Sequence, residues 1–319
     1  MIKKLIIVLC VIVFLKLAYN FFSSEDVNMD TNMDTNMANE VIVDPYKDAT
    51  NWTMTMYGSA DGDNMMSFTI KSDKGGLAII DGGYDTSETD CNVLIKEIEN
   101  NSNVVDAWII THFDTDHVGA FLKITEDHPD ILIKKIYVQE IPEREILVEK
   151  GVEERSVKSL DTYLSRTYDN AEVVHAGDEF DIIGLKMKVF SSYDKWMNEK
   201  TNNLLNNGSM IFTLSGKETK ALFCSDTQSP EIYEYIANNY KDELDADILQ
   251  IGHHGNTKFP KEFFEQVSPE DALFCASNWI YYNERNIEWF TIEDVKSYCE
   301  ETGAKLWHFD SAPAEFTIR

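Results

Sequence analysis

Short apolar runs, separated by clusters of Gly, Asn, Asp and Ser, recur from Thr53 onward and predict strands. Met54–Tyr57, Met65–Ser72 and Gly76–Ile80 read as an antiparallel opening, with turns at Gly58–Asp63 and Ser72–Gly75. Glu88–Asn100 has helical character, and Val104–Ile110 reads as a buried strand. A polar stretch follows, then a helix from about Val118, a strand over Ile131–Val138, and a charged, mostly helical stretch over Glu143–Arg166. Further strands are expected at Ala171–Ile183, Leu185–Ser191, Met210–Leu214, Lys220–Cys224 and Ala246–Ile251. Ala272–Ala276, Lys305–Phe309 and Glu315–Ile318 complete the set, with helices at Pro230–Tyr240 and Ile292–Thr302. Strands, then βα units, then strands and βα units again predict an α/β fold in which two sheets pack together with helices outside.

The start of the chain follows another pattern. Lys3 and Lys4 precede the apolar run Leu5–Leu15, which Lys16 interrupts. Residues 1–22 are read as a signal peptide or membrane anchor. Residues 23–52 are read as a flexible acidic spacer containing a tandem Asn-Met-Asp-Thr repeat. The domain proper is expected over 53–319, outside the cytoplasm, either secreted or anchored to the membrane.

Composition changes this picture in two respects. At 319 residues and 43% hydrophobic, the chain can build a large core without disulfides. Its five cysteines, Cys10, Cys91, Cys224, Cys275 and Cys299, include no Cys-x-x-Cys pair, and Cys224 and Cys275 read as buried thiols. The net charge of −28 excludes a general polyanion-binding surface and makes extended nucleic acid a poor partner. Bound divalent cations would still create a local positive field. Nothing in the sequence points to a protein partner.

The densest chemistry lies in Thr111-His112-Phe113-Asp114-Thr115-Asp116-His117, where two histidines and two carboxylates follow one strand. Imidazole suits zinc, and carboxylates widen the choice toward manganese or iron. The plainer alternative is a polar loop in which Asp114 or Thr115 caps the next helix. Two more strand ends carry Asp226 and His253-His254. Two ions about 3.5–4 Å apart share a bridging carboxylate from a separate strand, and Asp226 is the candidate. Alone, Asp226 reads equally well as a cap before Pro230.

With Asp81-Gly82-Gly83 and Gly252-His253-His254-Gly255, these segments resemble the metallo-β-lactamase fold superfamily from about Thr53 to Arg319. The usual motif is His-x-His-x-Asp-His, and here Asp114 stands at the second histidine. That form is similar to the ComEC-like and phosphorylcholine-esterase-like branch, as is Ala60-Asp61-Gly62-Asp63, a loose match to that branch's Gly-Gln-Gly-Asp. The resemblance implies an αββα sandwich with two divalent ions, zinc first and manganese as the alternative. His112 and Asp114 would hold one ion, and Asp116, His117 and His254 the other, with Asp226 bridging. His253 would act as a proton donor, and Asp116 is counted with it as catalytic. The superfamily's further histidine is replaced by the neighbourhood of Asn206, Asn207 and Ser209. His175 reads as a surface turn residue, His308 as a partly buried ring beside aromatics, and His128 as a loop residue. The implied activity is metal-dependent hydrolysis of a small-molecule or envelope phosphodiester through a metal-bridging hydroxide. The alternatives are a lactone or amide hydrolase of the same fold and a non-catalytic metal-binding envelope protein.

Overall fold

Alternation along a strand sorts side chains onto two faces, and here two seven-stranded sheets bury one face each against the other. In the computed structural model the first runs in the order Ala314–Ile318, Trp52–Met56, Ser67–Ser72, Leu77–Asp81, Ala107–Ile110, Ile136–Gln139, Ala171–Val174. The second runs Lys305–Trp307, Asp271–Leu273, Ile248–Gln250, Lys220–Phe223, Ile211–Ser215, Leu185–Ser191, Glu179–Ile182. The structure describes residues 45–59, 62, 65–309 and 313–319. The expected signal or anchor, the repeat, Cys10, and Ala60, Asp61 and Asp63 of the first turn lie outside these residues.

The inner core joins both sheets. Met54, Phe68 and Ile80 share one buried cluster with Phe212, Phe223 and Leu273. The rings of Phe68 and Phe223 meet edge-on at 5.3 Å, a favoured aromatic geometry. The Trp52 indole donates across to the Ile183 carbonyl at 2.8 Å. A second buried cluster holds the helices to the sheets. Glu88–Asn100 contributes Cys91, Leu94 and Ile98; Thr115–Asp127 contributes Val118, Phe121 and Leu122; Pro230–Asn239 contributes Ile232, Tyr233 and Ile236. The four described cysteines are buried free thiols.

Three expected strands divide. Val104–Ile110 and Ile131–Val138 break into a separate ribbon, Val104–Val105 with Leu132–Ile133, and into sheet strands Ala107–Ile110 and Ile136–Gln139. The break falls at Asp106, whose buried carboxylate accepts from Leu77 N–H (2.9 Å), Tyr46 Oη–H (2.5 Å) and Lys134 Nζ (2.6 Å). A buried carboxylate must find such donors, and apolar patterning does not reveal where. Ala171–Ile183 divides at the turn His175–Asp178, where the Asp178 carboxylate accepts from His175 N–H at 2.8 Å. Ala171–Val174 joins the first sheet and Glu179–Ile182 the second. The compact unit runs Asp44–Arg319 and takes in residues 45–52, which the sequence assigns to the spacer. Tyr46 is tied to Asp106, Ala49 is buried, and Trp52 already pairs with Ser72 and Ile318. The structure adds the helix Lys261–Val267, which packs Phe263, Phe264 and Val267 into the core.

Leu77–Asp81, Ala107–Ile110 and Ile136–Gln139 run parallel, as do Lys220–Phe223, Ile248–Gln250 and Asp271–Leu273. Parallel strands place their carboxyl ends on a common edge, where α/β proteins carry their sites.

Candidate metal centre

Both sheets deliver polar side chains to one place. Asp81 ends one strand, Thr111–His117 follows the next, and Asp226 and His253-His254 follow two strands of the other sheet. The expected loop before the helix is shorter than the sequence suggests. The helix begins at Thr115, so Asp116 and His117 lie on its first turn, with Asp114 as N-cap. The Asp114 side chain makes no cap hydrogen bond and stands instead 3.8 Å from His112 Nε2.

The backbone is strained here. Asp81 (φ 53°), Ser225 (φ 51°), His253 (φ 48°) and His254 (φ 56°) all adopt the left-handed region, which few residues other than glycine enter and which Asp and His enter more readily than Ser. Such strain gathers at functional sites, where the surroundings over-determine it. Gly252 permits the approach: a Cβ there would lie 2.1 Å from Tyr233 Oη and 2.5 Å from the Thr227 carbonyl.

Hydrogen bonds fix the tautomers of three histidines. His254 Nδ1–H donates to the Cys275 carbonyl at 2.7 Å. His117 Nδ1–H donates to Asp81 Oδ2 at 2.7 Å. Thr111 Oγ1–H also donates to Asp81 Oδ2, at 2.7 Å, so that hydroxyl is left to accept from His112 Nδ1–H at 3.2 Å. Each ring therefore turns its Nε2 lone pair into the cup. What those lone pairs face is negative. His117 Nε2 is 3.1 Å from Asp226 Oδ1, and His254 Nε2 is 3.1 Å from Asp116 Oδ2 and 3.3 Å from Asp226 Oδ2. His112 Nε2 lies 3.9 Å from Asp226 Oδ2.

Lone pairs this close need a positive charge between them. Among the described residues His112 Nε2, Asp114 Oδ1, His117 Nε2, Asn206 Oδ1 and Asp226 Oδ1 are buried without a hydrogen-bond partner, a pattern uncommon in native proteins. Without a cation, protons take the role. Burial disfavours a charged His254, but Asp226 and Asp116 outweigh it and push the ring up to about 10. His117 is raised well above its ordinary value for the same reason, Asp226 leading and Asp81 next. Burial would raise Asp116, yet the His254 hydrogen bond and the His117 charge bring it down to about 2. Burial opposes ionisation of Asp226 too, and the same two histidines hold it well below the usual carboxylate range. A divalent ion would satisfy the same atoms. Ligand atoms of Asp116, His117, Asp226 and His254 all lie within 4.8 Å of one another, a set that metal bonds of about 2 Å can span.

His112 and Asp114 stand beside that group, outside the tightest cluster. Of the three residues in place of the further histidine, Asn206 alone turns toward the cup, its Nδ2 3.5 Å from Asp226 Oδ2. Asn207 Oδ1 accepts from Gln228 and Ser229 N–H, and Ser209 Oγ accepts from Asp226 N–H. His253 Nε2 is 4.0 Å from Asp226 Oδ2, and its Nδ1 lies 3.2 Å from Thr257 Oγ1. His175 is exposed beside Glu140, and His308 stacks on Tyr281 at 3.9 Å. Neither lines the cavity of about 480 Å³ over the cup, whose walls include Tyr84, Arg155, Trp289 and His253.

Two supporting residues escaped the sequence reading. Asp81, singled out only through the family resemblance, orients His117 and accepts from Thr111 N–H and Oγ1–H. Gln250 accepts from Cys224 and Ser225 N–H and donates to the Ser225 and Ile251 carbonyls, tying together the ends that carry Asp226 and His254. The available signal was an amide side chain inside the apolar run Ile248–Ile251.

Two packed sheets with a His/Asp cup at the carboxyl ends of strands from both are the build of a metal-dependent hydrolase. Residues 64–258 match the family model of the metallo-beta-lactamase superfamily, and the chain belongs to that superfamily. Its members bind two metal ions, and the Asp116–His117–Asp226–His254 cluster can hold a metal. ComE operon protein 3 of Bacillus subtilis (strain 168) is 27% identical over 179 residues, which are 54% of this chain and 20% of that protein. The chain thus spans about a fifth of that relative's length. The metallo-beta-lactamase fold protein YhfI from Bacillus subtilis superposes with a TM-score of 0.51 at 10% identity, over 84% of this chain and 99% of that one. A diphosphatase from the PhnP family superposes with a TM-score of 0.46 at 15% identity, over 83% of this chain and 98% of that one.

Proposed function

We propose that this chain hydrolyses phosphodiesters on the outer side of the membrane, with two divalent ions in the cup, zinc first and manganese as the alternative. The observation that carries the reading is the set of inward Nε2 lone pairs facing the carboxylates of Asp116 and Asp226. His112 and Asp114 would hold one ion, Asp116, His117 and His254 the other, and Asp226 both. When bound, such ions lower the pKa of water toward neutrality and offset charge on a phosphoryl group. The chain's own residues do the rest. Asp81, Thr111 and the Cys275 carbonyl hold three imidazoles as Nε2 ligands. With Thr257 at Nδ1 of His253, that ring's Nε2 is left for the oxygen that departs.

Phosphodiester preference is supported by the His-x-Asp-x-Asp-His form, and the outer location by Lys3, Lys4 and the apolar run after them. The test is turnover of bis-(p-nitrophenyl) phosphate by the full chain, with cell fractionation alongside. Turnover lost to a chelator and restored by zinc or manganese is expected, with the protein in the membrane or the medium. No turnover of any diester by metal-loaded protein contradicts the activity, and a cytosolic protein contradicts the location.

A further inference from the structure

Arg155 is the one lysine or arginine among the described residues that line the metal cavity. It lies in the first turn of the helix Glu154–Leu164, whose N-cap is Glu153. Glu153 Oε2 sits 2.6 Å from Arg155 Nε. No hydrogen bond among the described residues engages the two terminal nitrogens. The guanidinium is therefore held at one corner while its two-pronged edge stays free. That edge is the part that pairs bidentately with phosphate oxygens. The surroundings agree. The Glu153 side chain does not cap the helix, whose Ser156 and Val157 amides bond to the Glu153 carbonyl at 3.0 and 3.1 Å, and helix starts favour anions. Buried Ser156, on the same turn, also lines the cavity.

A neutral ester has no use for this arrangement. The cavity is otherwise rich in carboxylates: Asp114, Asp116, Glu153 and Asp226. Ions in the cup would offset those of the cup itself. Beside His253, which faces the departing oxygen, Arg155 is the one lysine or arginine among the described lining residues that can meet a substrate oxygen outside it.

We propose that Arg155, steadied by Glu153, is the anion-recognising, specificity-determining residue of the metal cavity, so that the substrate is an anionic ester and not a neutral lactone. It takes a phosphoryl oxygen that the cup does not. The inference rests on the phosphodiester reading, and its test is built to fail separately.

The test uses full-length, metal-loaded chains carrying Arg155→Gln, Arg155→Lys or Glu153→Gln, each checked for metal content and circular dichroism. The first readout is binding of inorganic phosphate by calorimetry. The second compares bis-(p-nitrophenyl) phosphate with the neutral ester p-nitrophenyl acetate. Arg155→Gln should weaken phosphate and raise the diester KM by about 10- to 100-fold, the scale of a lost charge-assisted contact. The diester kcat should change less than KM, and acetate turnover should stay within about twofold. Arg155→Lys should recover part of the loss, because a point charge lacks the fork. Glu153→Gln should fall between wild type and Arg155→Gln. Unchanged phosphate binding in Arg155→Gln at full metal content overturns the inference, as does an equal loss on both esters, which marks a structural role. A wild type that turns over only the neutral ester, yet loses phosphate binding with Arg155→Gln, sinks the phosphodiester reading and leaves the anion site standing.

Discussion

Asp81 touches no candidate metal position, yet it decides how His117 presents itself. Its Oδ2 accepts from His117 Nδ1 and from Thr111 Oγ1, which in turn supports His112. Asp81→Asn should therefore lower metal affinity by about 10- to 100-fold, the usual effect of removing such a partner, measured by competition with a chromogenic chelator; an unchanged affinity would dismiss this role. Protonation provides a second prediction. In the metal-free chain His254 is pushed up to about 10 and His117 well above its ordinary value. Both folded values exceed the unfolded one of about 6.5. The protonated rings therefore stabilise the metal-free fold in full below about pH 6.5, and His254's share is lost as the pH rises through about 10. Metal must displace the same protons, so affinity should rise with pH as metal-free stability falls. Calorimetry in buffers of different ionisation heat should register proton release on binding, and uptake with none released would contradict the assignment. The candidate His and Asp positions were legible in the sequence because they follow apolar runs. Asp81's orienting contact was not, since it spans 36 positions to His117 and exists only once the parallel strands pair.

At the scale of elements, the site depends on how strand ends are joined. The Gln250 side chain satisfies two N–H groups and two carbonyls in the buried space between the strands leading to Asp226 and His254. Gln250→Ala removes the acceptor of the Cys224 and Ser225 N–H groups and a donor to the Ile251 carbonyl, while the Ser225 carbonyl keeps the His253 N–H, at about 1–3 kcal/mol for each buried group that finds no water. Urea unfolding of the metal-free chain should show a loss of that size or more, with weakened metal binding; a change under about 0.5 kcal/mol, the range of a bland surface substitution, would show that water replaces the amide. Most strands and the longer helices follow apolar patterning and are readable from it. The divisions are not. Val104–Ile110 is one apolar run to the eye apart from Asp106, and only the folded chain brings Tyr46, Leu77 and Lys134 to that carboxylate. Likewise, nothing in Ala171–Ile183 says that its two halves serve different sheets.

The described domain is a sandwich that brings two loops from each sheet to one edge, in a chain carrying 56 acidic and 28 basic residues. An anionic substrate must approach against a net charge of −28. Raising salt from about 10 to 150 mM shortens the Debye length from roughly 30 to 8 Å. The kcat/KM for a diester should rise over that range while kcat holds, the reverse of steered association; a falling kcat/KM would place a stronger local positive field at the cavity mouth. The sandwich and the cup's position were both legible, because strand ends and ligand types coincide in sequence. The central claim is that the inward lone pairs of His117 and His254 and the carboxylates of Asp116 and Asp226 hold metal. Metal content per chain, measured on protein purified without chelator and then exposed to zinc or manganese, tests it most directly. About two equivalents per wild-type chain are predicted, and retention of none would contradict the account.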